Sequence, residues 1–198
     1  NGKYLALEIR GEIFVSPNHK DRKRTVQITK NPARDQAMTW LNDSTLIFIS
    51  DRNGNKDVFM AHSADTSTKD LFKTFKLTVK EVTNTLVEET QIALSPDGKK
   101  LVMVKGRGKM VVADINATGT LTNEITLLDG WDIPEDIAWS PDSKWLAYAY
   151  EDLNFNEEIF IHAADGKSEP HNVSMHPRGD YSPKWSPDGS KLGFISIR

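Results

Sequence analysis

The chain has no cysteine, which excludes disulfides, thiolate nucleophiles and thiolate metal sites. That absence assigns no compartment, because a cysteine-free protein is at home in cytosol or periplasm. Net charge is scarce as well. The formal balance is −3, so no global field recruits nucleic acid or an anionic membrane. No apolar run approaches the roughly 18–20 residues a membrane-spanning helix needs. Nor does any segment sustain a helical period over about 11 residues, which argues for an all-β protein. The chain opens on Asn1 rather than Met, inside a strand-like pattern, and reads as a piece of a longer protein. A signal peptide upstream of it would be out of view.

Apolar residues at 38% and charged residues at 27% describe a folded globular chain. Its 198 residues allow one sizeable core or two small ones. The charge is uneven: residues 1–35 hold eight Lys/Arg against four Asp/Glu, and the remainder is acidic.

An internal repeat decides the architecture. Leu94-Ser95-Pro96-Asp97-Gly98-Lys99-Lys100-Leu101 returns as Trp139-Ser140-Pro141-Asp142-Ser143-Lys144-Trp145-Leu146 and as Trp185-Ser186-Pro187-Asp188-Gly189-Ser190-Lys191-Leu192. A degenerate copy begins at Trp40, and Asn1–Leu5 resembles the tail of another. The anchors at 40, 94, 139 and 185 are 54, 45 and 46 residues apart, the period of a propeller blade. Ser-Pro-Asp-Gly is turn chemistry: Pro presets φ, Asp bonds the backbone ahead of it, and Gly accepts positive φ.

Alternating strands are expected after each turn, at Leu46–Ser50, Leu101–Lys105, Trp145–Tyr150 and Leu192–Ser196. Second strands follow at Glu12–Val15, Asp57–Ala61, Met110–Asp114 and Glu158–His162. Weaker third strands are expected at Thr25–Thr29, Phe75–Val79 and Glu124–Leu128, and the anchor segment makes a fourth. Such units bury both faces only by stacking, with Trp40, Trp139 and Trp185 between blades. The extra residues around Asp65–Lys73 read as a longer surface loop. The expectation is one β-propeller segment over residues 1–198, made of four-stranded antiparallel blades, three complete and two partial. It fits a six- or seven-bladed propeller better than a closed four-bladed one.

These repeats resemble the Ser-Pro-Asp-Gly propeller blades shared by tricorn proteases and TolB-like proteins. Ser50-Asp51-Arg52-Asn53-Gly54-Asn55-Lys56-Asp57-Val58-Phe59 carries the second half of that signature closely. Gly2–Val15, the insert before Leu94 and the stretch Asn154–Glu158 look more like tricorn-related peptidases. The resemblance covers essentially the whole chain. It implies a non-catalytic propeller preceding separate serine-protease and PDZ-like regions, which guides or positions peptides. The implied partners are peptides or unfolded protein and the protease domains of the parent chain, with no nucleic acid, membrane insertion or cofactor. Exposed terminal blades, with unpaired strand edges and apolar faces, also make self-association an expectation. By resemblance alone a periplasmic or secreted location is favoured. A TolB-like interaction propeller without a protease is the alternative, and an enzyme with its catalytic residues in this chain is a third.

Motifs that suggest chemistry give way to plainer readings. Gly166-Lys167-Ser168-Glu169-Pro170 has a proline where a nucleophile elbow needs glycine. Ser95, Ser140 and Ser186 recur once per blade, as structural residues do. Gly106-Arg107-Gly108 reads as a hairpin rather than a phosphate loop. In Asp51–Asp57, Lys56 stands where a calcium loop needs glycine, so this too is a hairpin. Among His19, His62, His162, His171 and His176, only His171 and His176 with Asp180 could approach a metal, and they read as loop decoration. The basic run His19–Arg24 reads as a solvated hairpin tip. One pattern remains. Asp35, Glu89 and Asp180 stand five residues before their anchors, while Pro134 takes that place before Trp139, followed by Glu135 and Asp136. Asp35, Glu89, Glu135 and Asp180 are therefore candidates for an acidic collar at one rim, attracting a cation or a peptide amine. The alternative is that each carboxylate caps its own loop or bonds a neighbouring blade.

Overall fold

A computed structural model describes residues 2–21, 24–175 and 177–197, so His176 and the Arg22-Lys23 part of the basic run lie outside the described residues. Seventeen strands form five antiparallel sheets, and no helix occurs among the described residues. The first sheet is β1 (Tyr4–Ile9), β2 (Glu12–Pro17) and β3 (Val26–Gln27), in the order β1-β2-β3. The second is β4 (Asp35–Asn42), β5 (Thr45–Ser50), β6 (Asp57–Ser63) and β7 (Leu77–Glu81), ordered as in sequence. The third is β8 (Glu89–Leu94), β9 (Lys100–Lys105), β10 (Lys109–Ile115) and β11 (Leu121–Asp129), again meandering. The fourth comprises β12 (Glu135–Trp139), β13 (Trp145–Glu151), β14 (Glu157–Ala163) and β15 (His171–Asn172). A two-stranded sheet of β16 (Asp180–Trp185) and β17 (Leu192–Ser196) completes the set. Three complete blades and two partial ones are what the repeat predicts.

The chain divides into two compact units, residues 1–92 with 117–120 and residues 93–116 with 121–198, the boundary falling within β8. In the first unit, Ile13 and Val15 of β2 share a core with Leu46, Phe48, Phe59 and Ala61 of β5 and β6, with Trp40 packed against it. In the second, Val102, Met110, Val112 and Leu127 share a core with Leu146 and Tyr148. Central strands are buried on both faces: Leu46–Ile49, Leu101–Val104 and Leu146–Tyr148 are all 0% exposed. Such strands read as near-continuous apolar runs because both of their faces are buried.

The anchors do what their spacing predicts. Trp139 Nε1 donates to the Ala93 carbonyl at 3.1 Å, and Trp185 Nε1 donates to the Ala138 carbonyl at 3.2 Å. Each indole thereby ties its own first strand to that of the preceding sheet. The repeated turn is a closed hydrogen-bond circuit. Ser95, Ser140 and Ser186 Oγ each donate to the aspartate two residues on at 2.6 Å, and each accepts a backbone N–H five residues on at 2.9 Å. The aspartates also take the N–H of Lys99, Lys144 and Ser190. The serine hydroxyls hold the carboxyls of Asp97 and Asp142 below the usual carboxylate range, and Asp188 falls to about 2. The serines are thus fully engaged in shaping a turn.

Two expectations need correction. The third strand of the second sheet is Leu77–Glu81 rather than Phe75–Val79. Thr74 Oγ1 accepts the Lys76 N–H and the Ser63 hydroxyl, which holds the approach in a turn and leaves Phe75 exposed. The Asp65–Lys73 insert is also more than a surface loop: Leu71 is 1% exposed within the first unit's core. Phe72 stacks on Tyr4 at 5.5 Å, and the Tyr4 hydroxyl donates to Asp70 at 2.7 Å.

Candidate functional site

Of the four collar carboxylates, three are buried and one is exposed. Asp35, 0% exposed, accepts a 2.8 Å hydrogen bond from Arg52 Nη2, and that guanidinium also lies over the rings of Phe59 and Phe48. Glu89, equally buried, takes the hydroxyls of Thr83 and Thr85. Asp180 is buried with neither carboxylate oxygen hydrogen-bonded among the described residues. Glu135 differs in register. It pairs with Ala149 across the hairpin, as Gln36 pairs with Ile49, whereas Asp35 pairs with Ser50 and Asp180 with Ser196. One residue along a strand reverses the side-chain direction. Glu135 therefore faces the other side of its sheet from the position that Asp35 and Asp180 hold in theirs.

A hydroxyl clamp that escaped the sequence reading recurs beside these residues. Thr29 Oγ1 accepts the Ile13 N–H and donates to Glu12, and Thr83 Oγ1 accepts the Val58 N–H and donates to Glu89. Ser174 Oγ accepts the Ile159 N–H and donates to Glu158. Each of these hydroxyl residues follows the outer strand of its sheet by two positions and precedes Asp35, Glu89 or Asp180 by six, so a fixed spacing to the next blade does mark the clamp.

The exposed carboxylate leads to an open acidic cleft in the second unit. It has a volume of about 240 Å3 and is lined by Asp132, Ile133, Glu135, Ala149, Tyr150, Glu151 and Glu157. Glu151 and Glu157 face one another across the β13–β14 hairpin, a like-charge cross-strand pair that costs stability. Partial burial first, then the charges of Glu135, Asp136, Glu151 and Asp132, raise the Glu157 carboxyl above the usual range. Asp136, at φ 51° on the bulge of β12, is spent on Ser182, accepting both its N–H and its hydroxyl. Asp132 accepts the Glu151 N–H at 3.3 Å. None of these five carboxylates joins an ion pair among the described residues.

Aromatic residues border this cleft. The Tyr150 ring lies 6.4 Å from that of Trp131, and Trp131 meets the edge of Phe155 at 5.6 Å. A Cβ on Gly130 would collide with the Tyr150 hydroxyl, so glycine there lets Tyr150 lie along the loop that carries Trp131. Nothing in the repeat marks this grouping, because residues 130–135, 149–151 and 155–157 meet only once the hairpin has formed.

The other motifs keep their structural reading. Ser168 reaches a histidine among the described residues only through its carbonyl, which accepts from His162 Nε2 at 2.8 Å. Among the described residues no group of three or more His, Asp or Glu is placed to hold a metal ion. No helix among the described residues is long and apolar enough to cross a membrane.

Comparison with known proteins places this geometry in context. No family model matches the chain. A protein of Sulfurisphaera tokodaii named as a Tricorn-like protease C-terminal subunit is 26% identical over 100% of this chain and 21% of its own length. A tricorn protease homolog of Saccharolobus solfataricus is 25% identical over 100% of this chain and 17% of its own length. The chain thus spans about a fifth of these relatives. Among solved structures, the tricorn protease superposes with a TM-score of 0.72 at 17% identity, covering 99% of this chain and 18% of that one. TolB from Acinetobacter baumannii superposes with a TM-score of 0.65 at 12% identity, over 96% of this chain and 45% of that one. The chain is an all-β propeller segment similar to those of tricorn proteases and TolB-like proteins.

Proposed function

We propose that this chain is the non-catalytic propeller region of a tricorn-like serine peptidase, where it guides or positions peptide substrates for protease domains elsewhere in the parent chain. The observation that carries the reading is coverage. Relatives named for tricorn proteases match all of this chain with about a fifth of their own length, leaving ample room for catalysis outside it. The side chains in hand agree. The blade serines are committed to turn circuits, and the one histidine bonded near a candidate serine contacts only its carbonyl. A peptide-handling surface needs accessible groups, so the collar role among Asp35, Glu89, Asp180 and Glu135 narrows to Glu135, the exposed member.

The test is cleavage of a denatured, labelled protein by this chain and by the full-length parent. Turnover by the parent alone supports the proposal. Turnover by the purified segment overturns it, and inactivity of both favours a TolB-like interaction module with no attached protease.

A further inference from the structure

Phe155 sits at a backbone position that its own sister hairpin gives to glycine. In the β5–β6 turn, Gly54 (φ 88°) donates its N–H to the Asp51 carbonyl at 2.9 Å. In the β13–β14 turn, Phe155 (φ 62°) makes the same bond to the Asp152 carbonyl at 3.1 Å. A bulky residue in the left-handed region is a rare and costly choice. Asp152 holds the turn in that shape by accepting the N–H groups of Asn154 and Asn156. The ring so placed adds nothing to the core, being 74% exposed, and its contact is the edge-on pairing with Trp131, itself 50% exposed. Leu153, on the same turn, is 87% exposed. An apolar surface with Tyr150 at its inner end thus runs directly into the acidic cleft.

We propose that Trp131, Leu153 and Phe155 form a docking surface for an extended peptide segment that carries a basic group beside an apolar side chain. The inference rests on the peptide-handling reading above and names the class of peptide. Charge complementarity selects the occupant. The apolar surface is flanked by Asp132, Glu135, Glu151 and Glu157, with no Lys, Arg or His paired to them among the described residues. An ammonium or guanidinium group entering the cleft meets these carboxylates and the Tyr150 ring, while the neighbouring apolar side chain covers Phe155 and Trp131. An acidic or uncharged apolar peptide lacks the first half of that match.

The experiment is fluorescence anisotropy of labelled ten-residue peptides titrated with this chain: a Lys/Leu peptide, its Glu/Leu counterpart and a Ser/Leu counterpart. The Lys/Leu peptide is expected to bind at least tenfold more tightly than either counterpart, weakening as salt rises. Phe155→Gly is expected to lower its affinity about tenfold while leaving the chain folded, because the position suits glycine. Glu135→Gln with Glu157→Gln is expected to lower it by a similar factor. Retained affinity in Phe155→Gly, with circular dichroism unchanged, would overturn the proposal. So would equal binding of the Glu/Leu or Ser/Leu peptide, which would leave the general peptide-handling reading standing. Absence of binding by all three peptides would count against both.

Discussion

The sharpest energetic prediction concerns Arg52 and Asp35. Asp35 is fully buried, and Arg52, with 13% of its side chain exposed, supplies the charge-assisted hydrogen bond that compensates it. Replacing Arg52 with Met keeps much of the packing volume but leaves an uncompensated buried carboxylate, which costs about 3–5 kcal/mol. The guanidinium also lies 4.8 Å from the Phe59 ring centroid and 5.4 Å from that of Phe48. Losing these contacts adds about 0.5–1 kcal/mol each. Arg52→Met should therefore cost about 4–7 kcal/mol, enough to consume much of an ordinary domain's stability. Asp35→Asn should cost less, about 1–3 kcal/mol, because Arg52 can turn its charge towards solvent. The double variant should be more stable than Arg52→Met alone, since the orphaned charge is gone. A coupling of at least about 2 kcal/mol is expected from the cycle. Urea unfolding of the whole chain, followed by far-UV circular dichroism, measures all four corners. Single costs that simply add, or an Arg52→Met cost below about 1 kcal/mol, would refute a compensated buried pair.

Three further outcomes follow from the geometry. Ser140→Ala should cost about 1–3 kcal/mol in urea unfolding, because it strands the part-buried N–H of Trp145 as well as removing the bond to Asp142; Asp142→Asn, which keeps an acceptor, should cost less. Glu157→Gln should stabilise the chain at neutral pH by a few tenths of a kcal/mol, by removing a like charge opposite Glu151. Because the Glu157 carboxyl is raised in the folded state, its ionisation works against folding as pH rises through that value, so the gain should vanish below about pH 4. His162 is shifted the other way: burial favours its neutral ring and lowers its pKa. Its contribution is complete above about pH 6.5 and declines as pH falls towards the folded value, so a His162→Gln variant should show a flatter melting temperature between about pH 5 and pH 7.

The sequence alone determined the blade. Ser-Pro-Asp-Gly closes its hydrogen bonds within five residues, so the turns and the strands they launch are local chemistry repeated at a fixed period. The three complete and two partial sheets follow from counting anchors, and the indole bonds of Trp139 and Trp185 follow from their place in each repeat. Tertiary structure decided everything that depends on partners distant in the chain. Asp35 and Glu135 both lie just ahead of an anchor in sequence, yet one is neutralised by Arg52, seventeen residues away, and the other stands in solvent beside carboxylates that join no ion pair among the described residues. The same bulge interrupts β4, β12 and β16, so the face Glu135 joins follows from its sequence offset, four residues before Trp139 where Asp35 stands five before Trp40. Phe155 reads in sequence as one more apolar residue in a hairpin. Only its left-handed backbone and its contact with Trp131 show a side chain kept at the surface despite its conformational cost. Hydrogen bonds along a turn are written locally, whereas burial and charge compensation are settled by what the folded chain brings alongside.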